Sequence, residues 1–396
     1  MANVTVFETK FSKRMQVVHY KQDVFRSFAN FEERATLSNG QAVVRPYRST
    51  LAVTDYTRGS DATIQATTDT SETLTVNQSK IIPFSVDDLD ALQSNYKLQA
   101  EYAKDAAKAL GNQIDADVFN SLVGSTDAQT IDAGTFGGTA GSPIVLGTAN
   151  VEAILFKIGQ KLNERNIDIA DRFGAVSPQF QNALQGYYAG RETIGGDKVG
   201  DNGYIGSKAN LDLMMSNNLT WKGVLGIATQ PTDGDTVTIA GIVFTFKTTL
   251  GVTAGNVLIG ASAATANTNL AALINAPGTT TAQGVALSAA NQALLYNVSA
   301  VAAATTTTVT GVGKSYLAVS AVLTATTDLW KTQTQYICAG KKKNVDVVIQ
   351  AEPTVKVNQI PKQLGVYVLP YTLYGIKTFR EGGLGSVNVA IDASVF

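Results

Sequence analysis

Leu74-Thr-Val-Asn-Gln-Ser-Lys-Ile-Ile-Pro-Phe-Ser-Val-Asp-Asp-Leu-Asp90 joins the two patterns that decide the architecture of this chain. Its first half places apolar residues at Leu74, Val76 and Ile82, which reads as the returning strand of a β-hairpin. Its second half reads as a helix start. Ser85 stands three residues before Asp88, a variant of the capping box, and Asp87, Asp88 and Asp90 suit the positive end of a helix dipole. Upstream, Leu51 and Val53 alternate on an outgoing strand, and Arg58-Gly-Ser-Asp-Ala-Thr63 carries the turn chemistry between them. With about 20 residues a side, such a hairpin reaches on the order of 60 Å at roughly 3.3 Å per residue. A compact chain of this length has a radius of gyration near ~21 Å. The hairpin is therefore expected to project beyond its own core, and a lone two-stranded ribbon is marginal in water. It needs a neighbour to lie on.

Downstream, apolar or small residues recur three or four apart at Leu89, Leu92, Tyr96, Ala100, Ala103, Ala107, Leu110, Ile114, Val118 and Leu122. They predict one long amphipathic spine helix of roughly 57 Å, with Gly111 a place to bend. A glycine-rich loop from Gly124 to Gly147 leads to a second helix from Asn150 to about Arg165, with Val151, Ile154, Leu155, Ile158 and Leu162 on one face. Phe173-Gly-Ala-Val reads as a short buried strand that ends at Pro178 and feeds a helix through Leu184, and Gly195–Gly206 reads as a loop. Residues 1–35 carry Phe7, Phe11, Tyr20, Phe25, Phe28 and Phe31 without a clean period, as in an arm with short helical pieces.

From Val224 to Leu329 threonine and alanine dominate, and the charged residues are Asp233, Asp235, Lys247, Lys314 and Asp328. This shift marks an inserted module of small α+β type. Two strands are expected around Ala240-Gly241, and a helix over Ala263 to Ile274. Beyond it Val345–Ile349, Thr354–Val357, Gly365–Leu369 and Val387–Ile391 read as strands that rejoin the spine helix.

The 396 residues carry a net charge of −1 and only 16% charged side chains, so nothing draws the whole molecule to nucleic acid or anionic lipid. The single cysteine, Cys338, and single histidine, His19, leave zinc sites, Ser-His-Asp triads and Cys-His pairs without partners. No window resembles a signal peptide or a membrane span, which predicts a cytosolic start. No catalytic residue, cofactor or metal ligand is expected. Thr308-Val-Thr-Gly-Val-Gly-Lys-Ser315 resembles a phosphate-binding loop but has threonine where the motif needs its first glycine. It reads as a strand-connecting turn. Lys341-Lys-Lys343 reads as a solvated turn before a strand rather than a DNA contact, and Gly195–Gly203 lacks the spacing of a calcium loop.

The order of arm, long hairpin, spine helix, second α/β region and closing strands resembles the major capsid fold of tailed bacteriophages, which herpesvirus shells and encapsulins share. Asp55-Tyr-Thr-Arg-Gly and Leu74 to Asp90 carry the resemblance to the family's extended loop and spine helix. Leu162-Asn-Glu-Arg-Asn-Ile, Arg172-Phe-Gly-Ala-Val-Ser-Pro, Ser216-Asn-Asn-Leu and Leu373-Tyr-Gly-Ile-Lys-Thr-Phe-Arg resemble its axial and closing segments.

The resemblance implies an α+β fold with an arm at residues 1–35 and an extended loop at 36–82. A peripheral domain then takes 83–147 and 331–396, an axial domain 148–223, and an outward inserted domain 224–330. It implies self-assembly into the hexamers and pentamers of an icosahedral shell around double-stranded DNA, which is held by weak, nonspecific contact. A portal protein and decoration proteins would be further partners, and no membrane is involved. Some relatives begin with a cleaved scaffolding segment. Here the hairpin starts after about forty residues, and a separate scaffolding protein is expected. Residues 36–79 contain no lysine, so the isopeptide weld that some relatives make from this loop is expected to be missing. Arg58, Asp61, Asp69, Glu72, Lys356, Arg380 and Glu381 are the expected intersubunit contacts. Two other readings remain beside the shell: an encapsulin-like compartment enclosing cargo, and a Thr/Ala-rich surface or adhesion protein.

Overall fold

The computed structural model describes residues 21–35, 37, 40–48, 51–61, 64–67, 69–87, 98–189, 207–325, 329–359 and 364–394. Leu98–Val123 forms the spine helix, 26 residues and about 39 Å at 1.5 Å per residue. Ala106, Leu110, Ile114, Val118 and Leu122 recur every four residues and are all buried, the stripe by which a helix lies on a core. The helix runs through Gly111 without a break.

Ser85 stands just before residues 88–97, where the expected helix start lies outside the described residues. It lies in the strand Phe84–Val86 and pairs with Tyr367. The long strand Val366–Lys377 offers its edge to Gln78–Ile81 as well. Asp88, Leu89, Asp90, Leu92 and Tyr96 lie outside the described residues.

The body is built on a sheet that has nine strands among the described residues. Its long strand Trp330–Lys341 pairs with Trp221–Gly226, Arg172–Val176 and Ser386–Asp392. Helices Val151–Glu164 and Pro178–Ala189 join the spine helix over it, and Ile154, Leu155, Ile158, Leu162, Phe180 and Leu184 complete the core. The arm enters the same core. Its helical pieces are the 3-10 turns Phe25–Ser27 and Glu32–Arg34, and Phe28 stacks on Phe173 with ring centroids 4.2 Å apart. Phe7, Phe11, His19 and Tyr20 lie outside the described residues.

The inserted segment has an apolar cluster of its own, where Phe244, Phe246, Leu270 and Ile274 pack together. Thr236–Ile239 and Ile242–Lys247 form the expected hairpin, closed by Ala240 (φ 54°) and Gly241 (φ 79°) as a two-residue turn with both φ positive. The helix Ala263–Asn275 covers them. Fully buried Asn267 ties that helix to the sheet, giving Nδ2 to the Ile227 carbonyl at 3.0 Å and accepting from Thr307 Oγ1 at 2.7 Å. The segment leaves and rejoins the body on neighbouring strands, with Leu225 opposite Trp330. Its strands Thr306–Gly311 and Val298–Ala302 continue the body's sheet outward.

The closing sheet pairs Asp346–Gln359 with Val366–Lys377. The two strands expected at Val345–Ile349 and Thr354–Val357 are one, with irregular register between Ile349 and Thr354. Pro353 sits there, and proline lacks the N–H that a regular ladder needs. In the long hairpin the ladder covers Ala42–Arg48 against Asp69–Thr75. Farther out the same register persists without a ladder: Gln65 Nε2 donates to the Ala52 carbonyl at 2.5 Å, and Ala52 N–H donates to Gln65 Oε1 at 3.0 Å. The turn closes at Thr57–Ser60, with Gly59 at φ 88°. Residues 51–61 are all exposed, so no core supports the outer pairing and the ladder thins.

Candidate assembly interface

The hairpin is fixed at its root. Leu74 and Val76 pack with Leu37, Val348 and Phe379 in a small separate cluster. Beside them Arg45 reaches Glu33 Oε1 at 2.7 Å and Asp346 Oδ1 at 3.1 Å while its guanidinium lies 4.3 Å from the Phe379 ring centre. Asn30 Nδ2 donates to the same Asp346 oxygen at 2.8 Å. Burial pushes the Asp346 carboxyl above its ordinary value, against the pull of Arg45. This clasp joins arm, hairpin and closing sheet through a nearly buried carboxylate.

Two of the expected contact residues meet here, inside one chain. Glu72 Oε2 accepts the Arg380 backbone N–H at 2.7 Å, at the start of the short helix Arg380–Leu384. A carboxylate at a helix start satisfies an open donor. The Arg380 guanidinium stands 4.9 Å from the Tyr47 ring centre. Glu381 follows Arg380 in the same short helix, and the others lie elsewhere. Arg58 and Asp61 are exposed at the hairpin tip, and Asp69 ends the ladder opposite Arg48. Lys356 is exposed on the closing sheet, 5.3 Å from the Tyr371 ring, and Glu381 borders a cleft of about 540 Å³ with Arg45 and Lys341.

Apolar side chains stand uncovered in two places. On the hairpin Val53 is 99% exposed and Ile64 93%, with Leu51 and Tyr56 beside them. On the closing sheet Ile81, Val355, Val357, Leu364 and Tyr367 are exposed. Clusters of this kind mark contact surfaces. Sequence reasoning named the charges and missed the closing-sheet residues, although the alternation Val355-Lys-Val357 carried a signal. By register Val355 and Val357 lie on one face of the sheet and Tyr367 and Ile81 on the other, and both faces of Thr354–Gln359 are exposed.

A polar seam on the spine helix ties the parts together. Asp115, buried, accepts from Val24 N–H at 3.1 Å, Phe25 N–H at 2.9 Å and Asn218 Nδ2 at 2.8 Å. Burial nevertheless raises its carboxyl to about 6. Gln113 accepts from Asn297 of the inserted segment at 2.6 Å, and Asp117 accepts from Tyr374 of the closing sheet at 2.5 Å.

Elsewhere the geometry favours plain structural roles. Thr308 lies within the strand Thr306–Gly311, and no helix follows Ser315 before the strand Val319–Val322, so the turn lacks the helix end that a nucleotide loop uses. A Cβ on Gly313 would come within 2.7 Å of Ala116 Cβ, which accounts for that glycine by close packing on the spine helix. Lys342 pairs with Asp212 at 2.7 Å and Lys343 with Glu32 at 2.8 Å, so the triple-lysine turn is largely neutralised. Cys338 is fully enclosed, and burial pushes its thiol pKa up. Gly195–Gly203 lies outside the described residues. Among those described no cluster of metal-ligating side chains occurs, and no helix is long and apolar enough to cross a membrane.

No protein-family model and no curated protein matches the sequence. Solved structures do. One from Mycobacterium phage Che8 matches with a TM-score of 0.60 at 17% identity, covering 98% of each chain. The capsid structure of cyanophage P-SCSP1u matches at 0.54 and 11% identity, over 98% of this chain and 94% of that one. The acidic stable capsid structure of Helicobacter pylori bacteriophage KHP30 matches at 0.54 and 9% identity, over 99% and 97%. The chain shares their fold along nearly its whole length, and the α+β capsid architecture expected from the order of elements is the one found.

Proposed function

We propose that this chain is the major capsid protein of a tailed bacteriophage, a subunit that assembles with its own copies into hexamers and pentamers of an icosahedral head around double-stranded DNA. The observation that carries this reading is the likeness to phage capsid structures over 98% of the chain. The uncovered apolar hairpin supports it on separate physical grounds. Val53 and Ile64 gain burial only against another molecule, and many interfaces of roughly 800 Å² per partner add up to a shell without any one being strong. In this reading Arg58, Asp61, Asp69, Lys356 and Glu381 meet neighbouring subunits. Glu72 and Arg380 set the hairpin's angle and present the guanidinium outward.

Residues 36–82 act as the extended loop, 83–147 with 331–396 as the peripheral domain, 148–223 as the axial domain and 224–330 as an outward insertion. The protein acts in the virion, without catalysis or cofactor, after assembly in the host cytoplasm with a separate scaffolding protein. A portal protein and decoration proteins complete the head, and DNA is contained rather than specifically bound. Electron microscopy of the protein expressed with and without its scaffolding partner tests the reading. Closed shells are expected with the partner, and a chain that stays monomeric in both cases overturns it.

A further inference from the structure

The Thr308–Ser315 turn and the arm residue Lys21 meet at a pocket that shell assembly does not call on. Lys21, Asn112, Gln113, Tyr296, Gly313 and Lys314 line a space of about 320 Å³ between the arm, the spine helix and the inserted segment. Lys21 Nζ donates to the carbonyls of Gly313 at 2.6 Å and Asn217 at 2.8 Å, which fixes its ammonium at the wall with neutral partners. Lys314 has no hydrogen bond or ion pair, although it is partly withdrawn from water. A cation so placed costs free energy unless something pairs with it. Asn112 accepts from Asn218 through Oδ1, so its Nδ2 is left as a donor on the same wall.

The charges agree with the geometry. Burial lowers the Lys314 ammonium, and it lowers that of Lys21 to about 8, with Lys314 adding to the effect and Asp115 opposing it. Two cations therefore disfavour each other across a pocket whose neighbouring carboxylates are already engaged, Asp115 by the arm and Asp117 by Gln113 and Tyr374. The volume is at the low end of the roughly 300–1,000 Å³ that small-molecule sites occupy. It suits a single oxyanion better than a nucleotide.

We infer that this pocket binds a phosphate group between the ammonium groups of Lys314 and Lys21, with the Asn112 amide as a further donor. The site stands whether or not the chain forms a shell. Titration calorimetry of the full chain with inorganic phosphate tests it, with acetate as the control anion. Phosphate should bind at least about tenfold more tightly than acetate, and Lys314→Met should lose about tenfold in phosphate affinity, the worth of one charge-assisted hydrogen bond. Lys314→Arg should retain binding, and Lys104→Met, on the exposed side of the spine helix, should leave it unchanged. Because Lys314 lacks a counter-charge, Lys314→Met should melt no lower than the parent without phosphate, so loss of binding is separable from loss of fold. A short double-stranded DNA that displaces phosphate identifies a nucleic-acid backbone as the source, and phosphate binding without such displacement identifies the free ion. Unchanged phosphate affinity in Lys314→Met, or acetate binding as well as phosphate, overturns the inference.

Discussion

The long hairpin and the inserted segment are both threonine-rich, yet they solve the problem of folding in opposite ways. In the inserted segment the helix Ala263–Asn275 covers the strands, and Phe244, Phe246, Leu270 and Ile274 lose all or nearly all contact with water. Even its buried carboxylate, Asp235, is provided for. Burial alone would raise Asp235, but hydrogen bonds from Thr232 and Thr324 hold it below its ordinary value. In the hairpin Leu74 is buried at the root, and the outer residues 51–61 are all exposed. Composition was thus a poor guide to self-sufficiency. The deciding difference is whether the same chain supplies a second layer.

The largest expected effect on subunit stability comes from the covered side of this contrast. Phe244→Ala should cost about 3–5 kcal/mol in urea unfolding, since it empties a fully buried aromatic site. A loss below about 1 kcal/mol would mean that the segment has no rigid core. Next comes the clasp at the hairpin root. Arg45→Met should cost roughly 2–3 kcal/mol by leaving the Asp346 carboxylate without its cation, and adding Asp346→Asn should restore much of it in thermal melts. Additive losses would show that the two side chains do not act as a pair.

A smaller effect depends on pH and reports on the helix that carries both regions. The Asp115 carboxyl titrates at about 6 in the folded chain, against ~3.9 when unfolded. The folded state therefore holds this proton more tightly, and stability should rise as pH falls from about 7 toward 4. Between pH 7.5 and 5 the gain is about 1 kcal/mol, and Asp115→Asn should remove that increment from the urea midpoint. The smallest change belongs to the tip. Val53→Asp should alter subunit stability by less than about 0.5 kcal/mol, yet electron microscopy should find no closed shells. Unfolding of that variant would break the comparison, because the tip would then be part of a core.

Local chemistry was legible in the sequence and remote pairing was not. The turn at Arg58-Gly59, the Ala240-Gly241 hairpin and the helices Val151–Glu164 and Ala263–Asn275 follow from residues a few positions apart. The acidic neighbours of Ser85 announce a helix start, but nothing near it announces its strand partner Tyr367, far along the chain. Phe28 looked like an arm residue, and only the fold places it on Phe173. The charges Glu72 and Arg380 were picked from opposite ends of the sequence, but that the bond runs through a backbone N–H had no sequence signal. The exposed Val355 and Val357 were hidden for the same reason: alternation defines two faces, and only the fold shows that both faces of Thr354–Gln359 meet water.

The strand Thr306–Gly311 lies along Trp221–Gly226, and Val298–Ala302 lies beyond it. Excising residues 228–328 and joining the ends would thus strip a flank from the central sheet and leave Trp221–Gly226 with a bare row of N–H and C=O groups. Such an edge templates uncontrolled pairing with other chains. In the proposed shell, where copies would pack side by side, the inserted segment then serves as an edge guard, and shortening it carries an aggregation hazard that its loop-like position in the sequence conceals.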